Sequence, residues 1–157
     1  MSNRTPRTIL LRKMDELLQA DNPVEIELKE EKVVKFYEIT YNEEWKQFQE
    51  RNIISPEYLM TLFVPIGTKV IVNVMGGMKD LPKIVGVIHT NSEVNYLKPI
   101  YYGRYNIISK AESLQKKKGE MGEYLVFTFK MSLFSQGEEE VANDIHQFFL
   151  RLGKEEN

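Results

Sequence analysis

The stretch Val87–Lys110, VIHTNSEVNYLKPIYYGRYNIISK, sets the tightest limit on how this chain can fold. Polar and apolar residues roughly alternate over Ser92–Leu97, as in a strand with one buried face. Pro99 has no N–H to give to a ladder, so it belongs at an edge or a bulge. Gly103, four residues on, fits a bulge or bend that re-aims the chain before strand resumes. With helix before it and sheet after it, the pattern predicts one long strand broken by a Pro-to-Gly kink. A sheet built that way is antiparallel and sharply curved, and it wraps around a helix.

The helix is expected just upstream. Ser55-Pro56-Glu57 has the form of a helix start: Ser as N-cap, Pro at the first position and an acid in the first turn. Leu59, Phe63, Ile66, Val70 and Val74 follow at helical intervals, and Gly76-Gly77 would close the element. The β-branched run Val70–Val74 favours strand locally, and Pro65 predicts a break. The expectation is therefore a broken, buried helix. Earlier, residues 6–20 form an amphipathic helix with Ile9, Leu10, Met14, Leu17 and Leu18 at helical spacing, ended by Asp21-Asn22-Pro23. Residues 24–41 alternate weakly and predict one or two strands with a turn at Lys29–Lys32. Glu43–Glu50 predicts a short helix with Trp45 and Phe48 inward. Beyond the kink, a turn at Lys116–Glu123, an almost wholly apolar central strand at Tyr124–Phe134, a turn at Ser135–Glu138 and a strand at Val141–Leu152 complete the order. On that last strand Ala142, His146, Phe148 and Leu150 share one side.

These elements make one α+β domain of 157 residues: an N-terminal helical extension (1–23), a core (24–152) and a solvated tail (153–157). The chain carries 42% apolar and 28% charged residues and a net charge of -2. Without a basic excess, nucleic acid is not an expected partner. Zero cysteines removes disulfides, thiolate metal sites and Cys nucleophiles together. Two histidines 57 positions apart make a poor zinc set, so no metal is expected. No apolar signal-peptide core is visible near the N-terminus, and a cytoplasmic location is expected. Tyr58–Met78 holds a single charge, Lys69, but Pro65, Gly67, Thr68 and Asn73 interrupt it and favour a buried core element over a membrane span.

The order and spacing resemble the MaoC-like branch of the hotdog superfamily, especially the N-terminal dehydratase-type half of double-hotdog hydratases. The resemblance rests on Ile54-Ser55-Pro56 before the central helix and on Val87-Ile88-His89 leading into Glu93-Val94-Asn95-Tyr96-Leu97-Lys98-Pro99. Gly103 stands where the family has its kink glycine, and Gly137-Glu138 with Glu140-Val141-Ala142 resemble the closing hairpin. It covers about residues 30–152. It implies a hotdog fold, a curved antiparallel sheet wrapped around a long central helix. It also implies an acyl-thioester substrate on coenzyme A or an acyl carrier protein, with no further cofactor. Water is added or removed across the α,β-carbons, in a tunnel formed between two hotdogs.

Such dehydration needs a base for the α-proton, an acid for the leaving hydroxyl and a donor for the thioester oxygen. Active members resemble one another in placing an Asp, sometimes Asn, and a His five positions on, ahead of the central helix. Here Tyr41–Ser55 holds no Asp and no His, and none of Asp15, Asp21, Asp80 and Asp144 has a His five residues later. No catalytic residue is therefore assigned. The first expectation is a non-catalytic, tunnel-forming subunit whose hotdog partner, preferably a different chain, supplies the acid/base pair.

The substrate-facing candidates are His89, Asn91, Glu93, Lys98 and Arg104. The first three would share one face of an extended strand, and the two cations flanking the kink suit carrier phosphates. The plainer explanations are a hydrogen-bonded strand face and solvated charges. Glu57 resembles the carboxylate position of some hotdog thioesterases, although an acid in a first turn is also ordinary dipole complementation. His146 beside Phe148 fits a satisfied interior histidine better than a ligand. Two alternatives stay open: a self-sufficient thioesterase or hydratase using Glu57 or Glu93 with His89, and an acyl-CoA-binding module without chemistry.

Overall fold

The computed structural model describes residues 6–40, 43, 45–78 and 84–153. The elements run α1 (Pro6–Gln19), β1 (Val24–Leu28), α2 (Glu30–Thr40), α3 (Trp45–Glu50), α4 (Pro56–Gly77), β2 (Ile84–Tyr96), β3 (Gly103–Gly119), β4 (Gly122–Ser135) and β5 (Glu140–Leu152). The five strands form one antiparallel sheet in the order β1-β3-β4-β5-β2. Extra residues at Glu112 in β3, Thr90 in β2 and Val141 in β5 interrupt the ladders. Bulges of this kind increase local twist and bend a strand, and the sheet curls into a half-barrel around α4.

The expected kinked strand is in fact two strands that never pair. β2 forms one edge, next to β5, whereas β3 lies between β1 and β4. Residues 97–102 carry the chain from one side of the sheet to the other. Tyr96 and Tyr105 pin that crossing: the Tyr96 hydroxyl donates to the Ile54 carbonyl (2.9 Å) and accepts from the Ile100 N–H (3.0 Å). The Tyr105 hydroxyl donates to the Tyr101 carbonyl (2.8 Å). Burial pushes both phenols above their ordinary range, so they stay hydroxyl donors. Gly103 has φ +145°, a conformation that a side chain would strain.

Three further expectations need correction. Residues 30–40 are helix, because Val33 and Tyr37 share a buried face one turn apart and Glu30 and Glu31 complement the N-terminal dipole. Lys116–Lys118 belong to β3, and the hairpin turns tightly at Glu120-Met121. Gly76 and Gly77 lie inside α4 rather than capping it. Gly77 is there for a close approach, since a Cβ on it would stand 2.7 Å from Leu17 of α1. The remaining tail, 154–157, and Tyr41, Asn42 and Glu44 of the loop ahead of α4 lie outside the described residues.

α4 is one continuous helix of 22 residues, about 33 Å long. Ser55 caps it in extended conformation, accepting from the Tyr58 N–H. Pro65 does not break it. The carbonyl that its missing N–H would have paired belongs to Thr61, and both residues are exposed. By length and composition alone α4 could cross a membrane. In this fold its stripe of Leu59, Phe63, Val70, Ile71 and Val74 is buried in a core with Phe127, Phe129, Met131, Leu133, Phe148 and Leu150.

α1 covers one end of that core through Met14 and Leu18. It is stitched to β3 by Asp15, which accepts from Ala111 N–H at the bulge (2.7 Å). Asn22 exchanges two bonds with the Ser109 backbone. The tightest helix–sheet contact is at Gly67, where a Cβ would stand 2.9 Å from Cε1 and Nε2 of His146. Gly67→Ala is expected to cost about 1–3 kcal/mol by overpacking, read as a lower urea midpoint at unchanged slope.

Candidate functional site

Directly opposed residues in an antiparallel pair share a face. On β2 and β5 those pairs are His89 with Phe148, Ser92 with His146 and Val94 with Asp144. His89 and Ser92 therefore join Ala142, Asp144, His146 and Phe148 on the side that faces α4. The register slips between His89 and Asn91, and Thr90 is the extra residue. One inserted residue reverses the alternation. Asn91 and Glu93 consequently oppose Gln147 and Ile145 on the outer face. The expectation that His89, Asn91 and Glu93 line one face fails for that reason.

On the inner face lies a polar chain that the sequence reading missed. Asp144 and His146 are both 0% exposed. Ser92 Oγ lies 2.7 Å from each carboxylate oxygen of Asp144. His146 Nε2 lies 3.1 Å from Asp144 Oδ2, close enough for an ion pair but not aligned for a directed hydrogen bond. Its Nδ1 is 3.3 Å from Nε2 of His89. His146 stacks on Phe129 (centroids 5.3 Å apart) and His89 on Phe148 (4.7 Å), while His89 itself is exposed at the sheet edge. The available signal was Asp144-x-His146, two residues apart on a strand whose same-side neighbours are core. His146 is an interior histidine, as expected, but its Nε2 is not fully satisfied.

A second site opens at the N-terminus of α4. A cleft of about 250 Å³ is lined by Phe36, Tyr37, Trp45, Phe48, Ser55 and Glu57. Trp45 stacks on Tyr37 with centroids 5.0 Å apart and planes 3° from parallel. Trp45 and Phe48 are half-buried rather than fully inward. The Tyr37 hydroxyl accepts the buried Ser55 N–H at 2.8 Å, fixing the residue that caps α4. Tyr37→Phe orphans that donor and is expected to cost about 1–3 kcal/mol, measurable by denaturant unfolding. Burial pushes the adjacent Tyr58 phenol up, and Tyr37 adds to the effect. Among the described residues the cleft has one carboxylate, Glu57, and no imidazole.

Lys98 and Arg104 are placed elsewhere. Lys98, in the β2–β3 crossing, pairs with Glu139. Arg104, on β3, lies 4.0 Å from Glu25 of β1. The five substrate-facing candidates thus lie on both faces of the sheet and on separate elements. A larger cleft of about 360 Å³, at the β3–β4 hairpin, opens on the outer face against Ile88, Met121, Tyr124 and Phe149. Among the described residues its charged groups are Glu120, Glu123 and Arg151.

Solved structures share this architecture. One chain of the ChsH1-ChsH2 complex from Mycobacterium tuberculosis aligns over 93% of this chain and 93% of its own, with TM-score 0.64 and 12% identity. The fold is a hotdog. A chain of the C-terminally truncated HadBC (3R-hydroxyacyl-ACP dehydratase) complex from the same organism aligns over 81% of this hotdog and 90% of its own length, with TM-score 0.59 and 10% identity. The Streptococcus mutans protein smu.793, bound to acetyl-CoA, aligns over 85% and 82%, with TM-score 0.52 and 16% identity. No protein-family model and no curated protein matches the sequence. At these identities the likeness defines the hotdog fold and α4 as its central helix.

Proposed function

We propose that this chain is the non-catalytic subunit of a MaoC-like acyl-thioester hydratase or dehydratase, with a second hotdog supplying the acid/base pair. The observation that carries this is the cleft ahead of α4. Its walls are aromatic and suited to an acyl chain, yet among the described residues it offers one carboxylate and no imidazole. The acid–imidazole couple that the described residues do contain, Asp144–His146, is sealed beneath Gly67 of α4, where no substrate reaches it.

The free edge of β2 supports a two-body assembly. It runs for 13 residues, and Val85, Val87 and Ile88 on it are 52%, 37% and 62% exposed. A long apolar edge strand is a template for pairing with another sheet. The other edge, β1, is only five residues long and carries Glu25 and Glu27. The names of two structural neighbours, a ChsH1-ChsH2 complex and a HadBC dehydratase complex, agree with a heteromeric arrangement, and the acetyl-CoA on a third agrees with a thioester ligand.

The test is co-expression with a hotdog from the same genome that carries Asp-x-x-x-x-His. A stable complex that hydrates an enoyl thioester is expected. Failure to associate with any such hotdog removes the proposal. One observation favours a second possibility: Glu57 lines the cleft, as a thioesterase carboxylate would. Thioester hydrolysis by the isolated chain that disappears in Glu57→Gln would replace the first proposal with this one.

A further inference from the structure

The cleft at the N-terminus of α4 is small and built from three helices. Its volume of about 250 Å³ lies below the roughly 300–1,000 Å³ of sites for drug-sized ligands. It has room for a head group, not for a whole coenzyme or a long alkyl chain. Phe36 and Tyr37 come from α2, Trp45 and Phe48 from α3, and Ser55 and Glu57 from the start of α4. The fold holds two of the rings in place before anything binds. Tyr37 is 1% exposed, stacks on Trp45 and accepts the Ser55 N–H. Phe36 meets Tyr58 edge to face, with centroids 5.4 Å apart and planes at 74°. Rings fixed in this way cost an incoming ligand little ordering.

Charge separates the ligands that such a cleft can take. Among the described residues its lining includes one carboxylate, Glu57, and no Lys, Arg or His. Glu57 is exposed and has no ion-pair partner among the described residues. The polar groups of Ser55 are engaged inside the fold, the N–H with Tyr37 and Oγ with the Tyr58 N–H. A neutral alkyl group seated here would strip water from the carboxylate and offer no partner in its place. An anion would meet like charge. A cation finds a complement on both counts, because the negative face of an aromatic ring attracts it within about 6 Å of the centroid, and Glu57 supplies the counter-charge. A primary ammonium would bring three N–H donors that need acceptors, and the aromatic walls supply none. A quaternary ammonium brings no donor at all.

We propose that this cleft binds a quaternary ammonium group carried at the far end of a short acyl thioester. The proposal rests on the acyl-thioester reading above and narrows its substrate to acyl groups of few carbons that end in a trialkylammonium. The rings of α2 and α3 surround the methyl groups, and Glu57 faces the charge from the rim. The thioester end extends toward the partner hotdog and its acid/base pair.

Two measurements test this, and the first needs no partner. Trp45 is the single tryptophan of the chain, so its fluorescence reports on the cleft. Choline is titrated into the full chain at constant ionic strength, beside its neutral isostere with carbon in place of nitrogen, and the isostere is also tested for displacement of choline. A saturable change with choline is expected, about 10-fold tighter than the isostere, as two or more ring contacts supply. Glu57→Gln is expected to weaken choline binding up to about 5-fold. A choline titration that does not saturate, or an isostere that binds as tightly, overturns the proposal. The second measurement is kinetic, in the complex with the catalytic hotdog. An enoyl-CoA whose γ-carbon bears trimethylammonium is expected to show kcat/KM about 10-fold above its tert-butyl isostere, and Glu57→Gln to reduce that preference. An active complex indifferent to the charge overturns the substrate assignment. A complex inactive on every enoyl thioester counts against the proposed function instead, and the choline titration then decides the site.

Discussion

Asp144→Ala is expected to lower the unfolding free energy by about 1–3 kcal/mol, because removing a buried hydrogen-bond acceptor leaves its partners with their desolvation cost. Three groups lose their counterpart at once: the Ser92 hydroxyl, Nε2 of His146 and, through it, the His89 contact. Water does not reach the site to compensate, since both members of the couple are 0% exposed. The companion variant separates charge from packing. Asp144→Val combined with His146→Leu removes both polar partners with only a modest change in volume, and replacements of that kind are often neutral. It is expected to recover most of the loss. Urea unfolding of the two variants beside the wild type reads the difference. An Asp144→Ala protein within about 0.5 kcal/mol of wild type, the range of ordinary surface substitutions, would mean the couple is not held as described.

Phe63→Ala is expected to cost about 3–5 kcal/mol, the range for deleting a fully buried ring and leaving a cavity. Phe63 is 1% exposed on the buried stripe of α4, packed in the core shared with Phe127 and Phe129. A curled sheet gripping a helix from one side has little freedom to collapse into the space. For a chain of this length the loss corresponds to a fall in Tm of roughly 6–20 °C. A smaller shift, with the denaturant slope unchanged, would show that the helix is less deeply gripped.

Phe63 also marks what was legible in the sequence. The cap at Ser55, the stripe from Leu59 to Val74 and the apolar strand at Tyr124–Phe134 are local patterns, and they reappear as α4 and the centre of the sheet. Pro65 misled because a local helix-breaking signal was outweighed by packing: buried residues of α4 lie on both sides of it, from Leu59 and Phe63 to Val70 and Val74. α2 was hidden because Val33 and Val34 look strand-like in isolation, whereas their burial follows the helical spacing of Val33 and Tyr37. The Pro99–Gly103 segment signalled a change of direction but not its extent. A strand's neighbours in a sheet are set by packing, and two strands, β4 and β5, separate β3 from β2 although it follows it in the chain.

The candidate site was legible only in fragments. His89 and His146 stood out as the two histidines of the chain, yet their meeting depends on one extra residue at Thr90 that no pattern announces. The same bulge sends Asn91 and Glu93 to the other face. Asp144 was passed over because the expected motif spans five residues in a loop, whereas Asp144 and His146 are two residues apart on a strand. Such a pair points to one side for the simple reason that strand side chains alternate.

The central claim is that this hotdog lacks its own acid/base pair and works only beside another. Turnover of crotonyl and 3-hydroxyacyl thioesters by this chain, by a hotdog carrying Asp-x-x-x-x-His, and by their mixture tests it most directly. The account predicts a mixture about 10²–10⁴-fold faster than this chain alone, the range a positioned acid/base group supplies. An isolated chain that matches the mixture contradicts it.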